Sequence, residues 1–122
     1  MTASTLDRAE STVDLSGPTE EFTVETVRGE SSEAVVVRGE LDAATVPLLA
    51  AVLDAVIGLR PRRLEVDLAG VTFLDAQALG TLNSARRRQT ARHATLVLRK
   101  PSAIVRRVLA LAGLDRLFDV VG

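Results

Sequence analysis

The 122-residue chain has no cysteine, tryptophan or tyrosine, and only three phenylalanines and one histidine. Without cysteine there is no thiol nucleophile, disulfide or thiolate metal ligand, although the absence fixes no redox compartment. His93 has no second imidazole or thiol with which to share a metal, and no paired serine to activate, so it is expected to be a surface residue in a loop. The shortage of aromatic rings removes the stacking platforms on which single-stranded nucleic acids are held. No apolar run approaches the roughly 20 residues of a bilayer span, and the first residues show no basic stretch followed by an apolar core. A soluble, cytoplasmic protein is expected. The length suits one domain that buries about two-thirds of its unfolded surface.

Charge is nearly balanced in sum, at −1, but unevenly spread. Residues 1–33 carry eight acidic groups against Arg8 and Arg28, a net of −6, and the remainder carries +5. Residues 1–18 are rich in Ser, Thr, Asp and Glu with few large apolar side chains, and such a segment buries too little to offset the entropy of ordering. Residues 1–20 are therefore expected to be a mobile acidic tail, and residues 21–122 a folded domain.

The domain alternates strand and helix patterns. Phe22 to Val27 and Ala34 to Leu41 read as two strands joined by a turn at Gly29, Glu30, Ser31 and Ser32. From Asp42 or Ala43 to Ile57, the residues Val46, Leu49, Val52, Leu53, Val56 and Ile57 recur at helical spacing until Gly58 and Pro61 end the run; Pro47 fits the first turn. Leu64, Val66 and Leu68 alternate with Glu65 and Asp67 in a third strand over residues 62–68, and Gly70 is expected to break it. A second helix is expected from Ala76 to about Gln89, since the Asp75 carboxylate suits the free N–H groups and positive dipole of a helix start. Thr95 to Leu98 make a fourth strand. Pro101 opens a third helix with Ile104, Val105, Val108, Leu109 and Ala112 on one face, Gly113 stops it, and a last strand covers Leu117 to Val121. Right-handed crossovers gather the helices on one face of a mixed sheet of four or five strands. The other face stays wet, which suits Thr23, Glu25, Glu65, Asp67 and Thr95.

Three stretches carry a family resemblance: VVVRGEL at Val35 to Leu41 followed by Asp42, Ala43, Ala44 and Thr45; RRLEVDLAGVTFLDAQALGTL at Arg62 to Leu82; and Gly113 to Phe118, GLDRLF. Together they resemble the STAS family, the sulfate-transporter and anti-sigma-factor-antagonist domains, over about a hundred residues in the right order. The resemblance implies an α/β fold and a non-enzymatic binding module without cofactor or metal. It also implies a partner of the anti-sigma factor type, with a histidine-kinase-like ATPase fold.

In such antagonists the aspartate is followed by a serine that the partner kinase phosphorylates, and phosphorylation abolishes binding. Here the corresponding residues are Asp75, Ala76, Gln77 and Ala78. Alanine has no oxygen to receive a phosphoryl group, so no phosphorylation site is expected at Ala76. A phosphoserine would bring about −1.5 to −2 charges beside Asp75. Without it, an interface at this helix start is permanently permitted. Thr72, Thr81 and Ser84 are hydroxyls nearby, read as ordinary strand-end or helix-surface residues.

The partner surface that the resemblance implies joins Asp42 and Thr45 to Asp75, Ala76, Gln77, Leu79 and Gly80. Asn83 and Arg87 continue it along the second helix, because spacings of three, four and seven return to one face. Leu79 is expected to be buried.

Other functions fit less well. Asp42, Asp67 and Asp75 could in principle gather as a Mg²⁺ or acid-base cluster, but two of them read as helix starters and the third as the polar side of a strand. A receiver-type phosphoacceptor domain needs an acidic pair after its first strand and a lysine near its last, and neither is present. Arg60 to Arg107 holds 11 basic against three acidic residues, with Arg86, Arg87, Arg88 and Arg92 close together. Those arginines suit a helix C-terminus, or an acidic protein partner, better than nucleic acid. Within the family the alternative is a non-switching STAS subunit or scaffold of a lipid-transport or stress-signalling complex. A nucleotide sensor is weakest, since no Gly-rich phosphate loop is visible. Pairing with a second copy, as a homodimer, is left open.

Overall fold

The computed structural model describes residues 22–122, so the expected acidic tail lies outside the described residues. The elements are β1 (Thr23–Arg28), β2 (Ser32–Leu41), α1 (Val46–Gly58), β3 (Arg63–Leu74), α2 (Ala76–Ala91), β4 (Thr95–Arg99), α3 (Ala103–Leu111) and β5 (Asp119–Val121). They build one five-stranded sheet in the order β1-β2-β3-β4-β5. β1 and β2 form an antiparallel hairpin, and every later neighbour pairs in parallel. Each parallel pair is joined through one helix, and three successive right-handed crossovers in the same direction place all three helices on the same face.

Alternation decides what that face receives. Val35, Val37 and Leu41 of β2, Leu64, Val66 and Leu68 of β3, and Leu96 and Leu98 of β4 meet Leu49, Leu53, Leu82, Val105 and Leu109 from the helices in one core. Each fully buried leucine stabilises the fold by roughly 1.5–3 kcal/mol relative to exposure. On the opposite face Glu65 sits between Arg63 and Arg99, accepting from Nε of the first at 2.8 Å and Nη1 of the second at 3.2 Å. Val97 belongs to that face by its pairing with Glu65, yet it is buried, so the open face is less wet than alternation alone implies.

The strand containing Gly70 departs from the sequence expectation. β3 does not break there but runs on to Leu74, still paired with β2. Between the Val36–Asp67 and Arg38–Gly70 pairs β3 carries one extra residue, and another between Gly39–Val71 and Glu40–Phe73. These bulges change the buried series from Leu64, Val66 and Leu68 to Val71 and Leu74, which hides the strand from a period-two reading. Gly70 is required because Arg38 crosses it: a Cβ there would lie 2.9 Å from Arg38 Cγ. The loosened segment is fastened by Ser102 before α3, whose N–H donates to the Leu68 carbonyl at 3.3 Å and whose hydroxyl donates to the Val71 carbonyl at 2.7 Å.

α1 also begins later than expected, at Val46 rather than Asp42 or Ala43. Residues 42–45 form a turn held by their own polar groups, so the Asp42 carboxylate is occupied before the helix starts. β5 is shorter than expected, Asp119–Val121, and Phe118 just before it is a core residue.

Candidate partner-binding site

The start of α2 is assembled at the shared end of β2 and β3. Leu41 pairs with Leu74, and the Asp75 N–H donates to the Leu41 carbonyl at 3.1 Å. Asp75 then leaves the strand in an extended conformation, its Oδ1 accepting from the Ala78 N–H at 3.0 Å while its carbonyl accepts from the Leu79 N–H. This is the expected aspartate cap, which satisfies one of the N–H groups free at a helix start. Ala78 and Leu79 turn into the core, as expected for Leu79, whereas Ala76, Gln77 and Gly80 are exposed.

The neighbouring turn is equally fixed. Asp42 Oδ1 accepts from the N–H groups of Ala44 and Thr45, at 3.0 and 3.2 Å. Thr45 Oγ1 accepts from the Asp42 N–H at 3.0 Å and donates to the Glu40 carbonyl at 2.6 Å. Asp42 and Thr45 therefore order their own turn, and the side chains that this end offers to solvent are mainly Ala43, Ala44, Ala76 and Gln77. The result is a surface of small side chains bordered by the exposed Glu40 and Phe73 and by the half-buried Asp42 and Asp75 carboxylates.

The β2–β3 pairing brings Asp42, Thr45, Asp75, Ala76, Gln77 and Gly80 to one end of the sheet. Arg87 is exposed further along α2. Asn83 stands apart: it is half-buried, and its Oδ1 accepts from Arg86 Nε at 3.0 Å, holding that guanidinium 5.8 Å from the Phe118 ring centroid. The arginines that look like one basic cluster in sequence diverge in space. Arg88 pairs with Asp54 of α1, and Arg92 donates to the Pro61 carbonyl and to Gln89 Oε1. Asp67 is occupied locally, accepting from the Ala69 N–H at 3.0 Å. Among the described residues no group of three or more His, Cys, Asp or Glu side chains is placed to hold a metal ion.

Sequence reasoning missed the groove between α1 and α2. Its volume is about 440 Å³, and its walls include Ala50, Gln77, Gly80 and Ser84 together with the Asp54–Arg88 ion pair. A pair 34 residues apart leaves no local pattern. His93 is exposed in the loop after α2, with φ at 61°. Among the described residues no helix is long and apolar enough to cross a membrane.

Comparison with known proteins agrees with this architecture. An anti-sigma factor antagonist from Mycobacterium paratuberculosis is 28% identical, with a TM-score of 0.76 over 88% of this chain and 90% of that one. SpoIIAA in its unphosphorylated form shares the fold at 21% identity and a TM-score of 0.69, covering 84% of this chain and 89% of that one. The phosphorylated Bacillus protein also aligns, at a TM-score of 0.64. A STAS-domain containing protein of Pseudomonas aeruginosa is 36% identical over 64 residues, which are 52% of this chain and 63% of that protein. This alignment thus spans less than two-thirds of that relative. The family model described as "Mlab, STAS domain" matches residues 24–121, and with this match over nearly the whole described chain the protein belongs to the STAS domain family.

Proposed function

We propose that the protein is a non-enzymatic binding module of the anti-sigma factor antagonist type. On this reading it engages an anti-sigma factor or related kinase-like ATPase through the start of α2, without a phospho-switch at Ala76. The observation that carries the reading is the helix start itself. Asp75 caps it, Ala78 and Leu79 anchor it, and Ala76 and Gln77 face solvent without charge. The likeness to the mycobacterial antagonist supports the partner class. With a methyl group at Ala76 the surface stays in its binding-competent form, so control passes to protein abundance or to the partner.

Ala76 equally suits a permanently docked subunit, the scaffold of a lipid-transport or stress-signalling complex. Binding to candidate kinase-like ATPases from the native host, with and without ATP, separates the two. The antagonist reading expects direct binding and no phosphate incorporation. Ala76→Glu or Gln77→Arg should weaken binding about tenfold or more, which corresponds to about 1.4 kcal/mol. Ala76→Ser should restore phosphate transfer from a cognate kinase. Normal binding by both charged variants removes this surface, and recovery of a transporter or scaffold subunit alone favours the second reading.

A further inference from the structure

α1 is apolar on nearly every side. Leu49, Leu53, Val56 and Ile57 fill the core, and yet Leu48 and Leu59 are 48% and 54% exposed on the outside. Leu48, Ala51, Ala55 and Gly58 are all exposed at spacings of three, four and three, the seam of a helix that packs on another helix, and Ala44 is exposed in the turn just before it. A helix with hydrophobic groups all round is normally covered. Among the described residues, the other two helices carry charge outside: α2 presents Arg87 and Arg88, and α3 presents Arg106 and Arg107, with one exposed leucine, Leu111, at its last position.

We infer that the outer face of α1 pairs with the same face of a second copy of this chain, antiparallel about a two-fold axis near Ala51. Charge favours a second copy over a charged partner. Close to a two-fold axis a group lies beside its own copy, so the centre of a self-pairing face has to be free of net charge. The charged side chain of α1, Asp54, is already neutralised by Arg88 of its own chain. Shape agrees. Antiparallel pairing about this axis sets Leu48 against Ala55 of the other copy, a large side chain opposite a small one, and brings Leu59, just after the helix, toward Ala44 in the turn before it. The groove beside α1 extends the neutral surface, and a Cβ at Gly80 would meet nothing within 4 Å.

The helix spans only about 20 Å at 1.5 Å per residue, so the contact falls among the smaller interfaces, below about 1,200 Å². A reversible, concentration-dependent dimer follows rather than a permanent one. The pairing does not rest on the α2 reading, which concerns a different partner, although Ala44 and the groove residues Gln77 and Gly80 border both surfaces.

Sedimentation equilibrium of the full chain over a dilution series tests it. The expected mass rises toward twice the chain mass at high concentration. Leu48→Glu and Ala51→Glu should stay monomeric with unchanged far-UV circular dichroism, while Arg107→Glu on α3 should pair like the wild type. Because the chain has no cysteine, Ala51→Cys should give an oxidant-dependent covalent dimer and Ala103→Cys should not. A wild type that is monomeric at every concentration overturns the proposal, even if it binds a kinase-like partner. So does a dimer that survives Leu48→Glu, or equal cross-linking at the two cysteine positions.

Discussion

Asp75 hangs from Leu41: its N–H donates to the Leu41 carbonyl while its carboxylate caps α2 through the Ala78 N–H. One residue thus ends a strand, starts a helix and ties two distant segments together. Asp75→Ala removes the cap alone and should cost about 1 kcal/mol, within the usual range of 0.5–2. Urea denaturation should show a lower midpoint with an unchanged slope. Asp75→Asn, which keeps an accepting oxygen, should recover most of the loss.

Arg38 and Gly70 form a steric pair. Gly70→Ala places a methyl group against Arg38 Cγ, Cβ and Cα, at 2.9, 3.3 and 3.4 Å, too close to the backbone for a side-chain rotation to relieve. The expected destabilisation is about 1–3 kcal/mol. Arg38→Gly should relieve part of it, so that the double variant loses less than the sum of the singles in a thermodynamic cycle. Strict additivity would show that the two residues do not press on each other.

Gln89 is fully buried, a polar side chain in the company of leucines. Its Nε2 donates to the carbonyls of Pro61 and Thr95, at 3.2 and 3.0 Å, and its Oε1 accepts from Arg92. Gln89→Leu removes the Nε2 donor from the Thr95 carbonyl and the Oε1 acceptor from Arg92, while the Pro61 carbonyl keeps Arg92 Nη1, and should cost about 1–3 kcal/mol despite the similar size. Amide hydrogen exchange should accelerate at residue 62 and around residues 94–95 first. A neutral outcome would mean that water replaces the amide at no cost.

Glu65 carries the pH dependence of the open sheet face. The Arg63 hydrogen bond holds its carboxyl below the usual value of 4.5, burial opposes this, and Arg99 adds to the lowering. A carboxylate with a depressed folded pKa adds stability above its unfolded pKa and loses it as pH falls through the folded one. Glu65→Gln should therefore cost stability near neutral pH and flatten the acid side of the stability curve below pH 4.5. The partners are about half exposed, so the effect should be under about 1 kcal/mol and shrink in high salt. A pH profile that is the same in wild type and variant would refute the assignment.

Local chemistry explains what was legible in advance. The Asp75 cap and the buried Leu79 follow from polarity and spacing on one helix, and the strand-helix alternation from hydrophobic period. Gly70 was misread because a bulge replaces the period-two signal with a three-residue step, and the same residue type that ends strands also permits close crossing by Arg38. The α1 start was misread because Asp42 and Thr45 satisfy one another in a turn, a reciprocal arrangement that a cap motif does not distinguish from a helix start.

By itself the amino-acid sequence determined the family, the order of strands and helices and the capped start of α2, since each is written in neighbouring residues or in their period. Tertiary structure alone decided that Leu41 holds Asp75, that Arg88 reaches Asp54, that Gln89 is enclosed, and that α1 leaves an apolar outer face. Those relations join residues far apart in the chain, and only the register of the parallel strands and the packing of helices on one face bring them within reach.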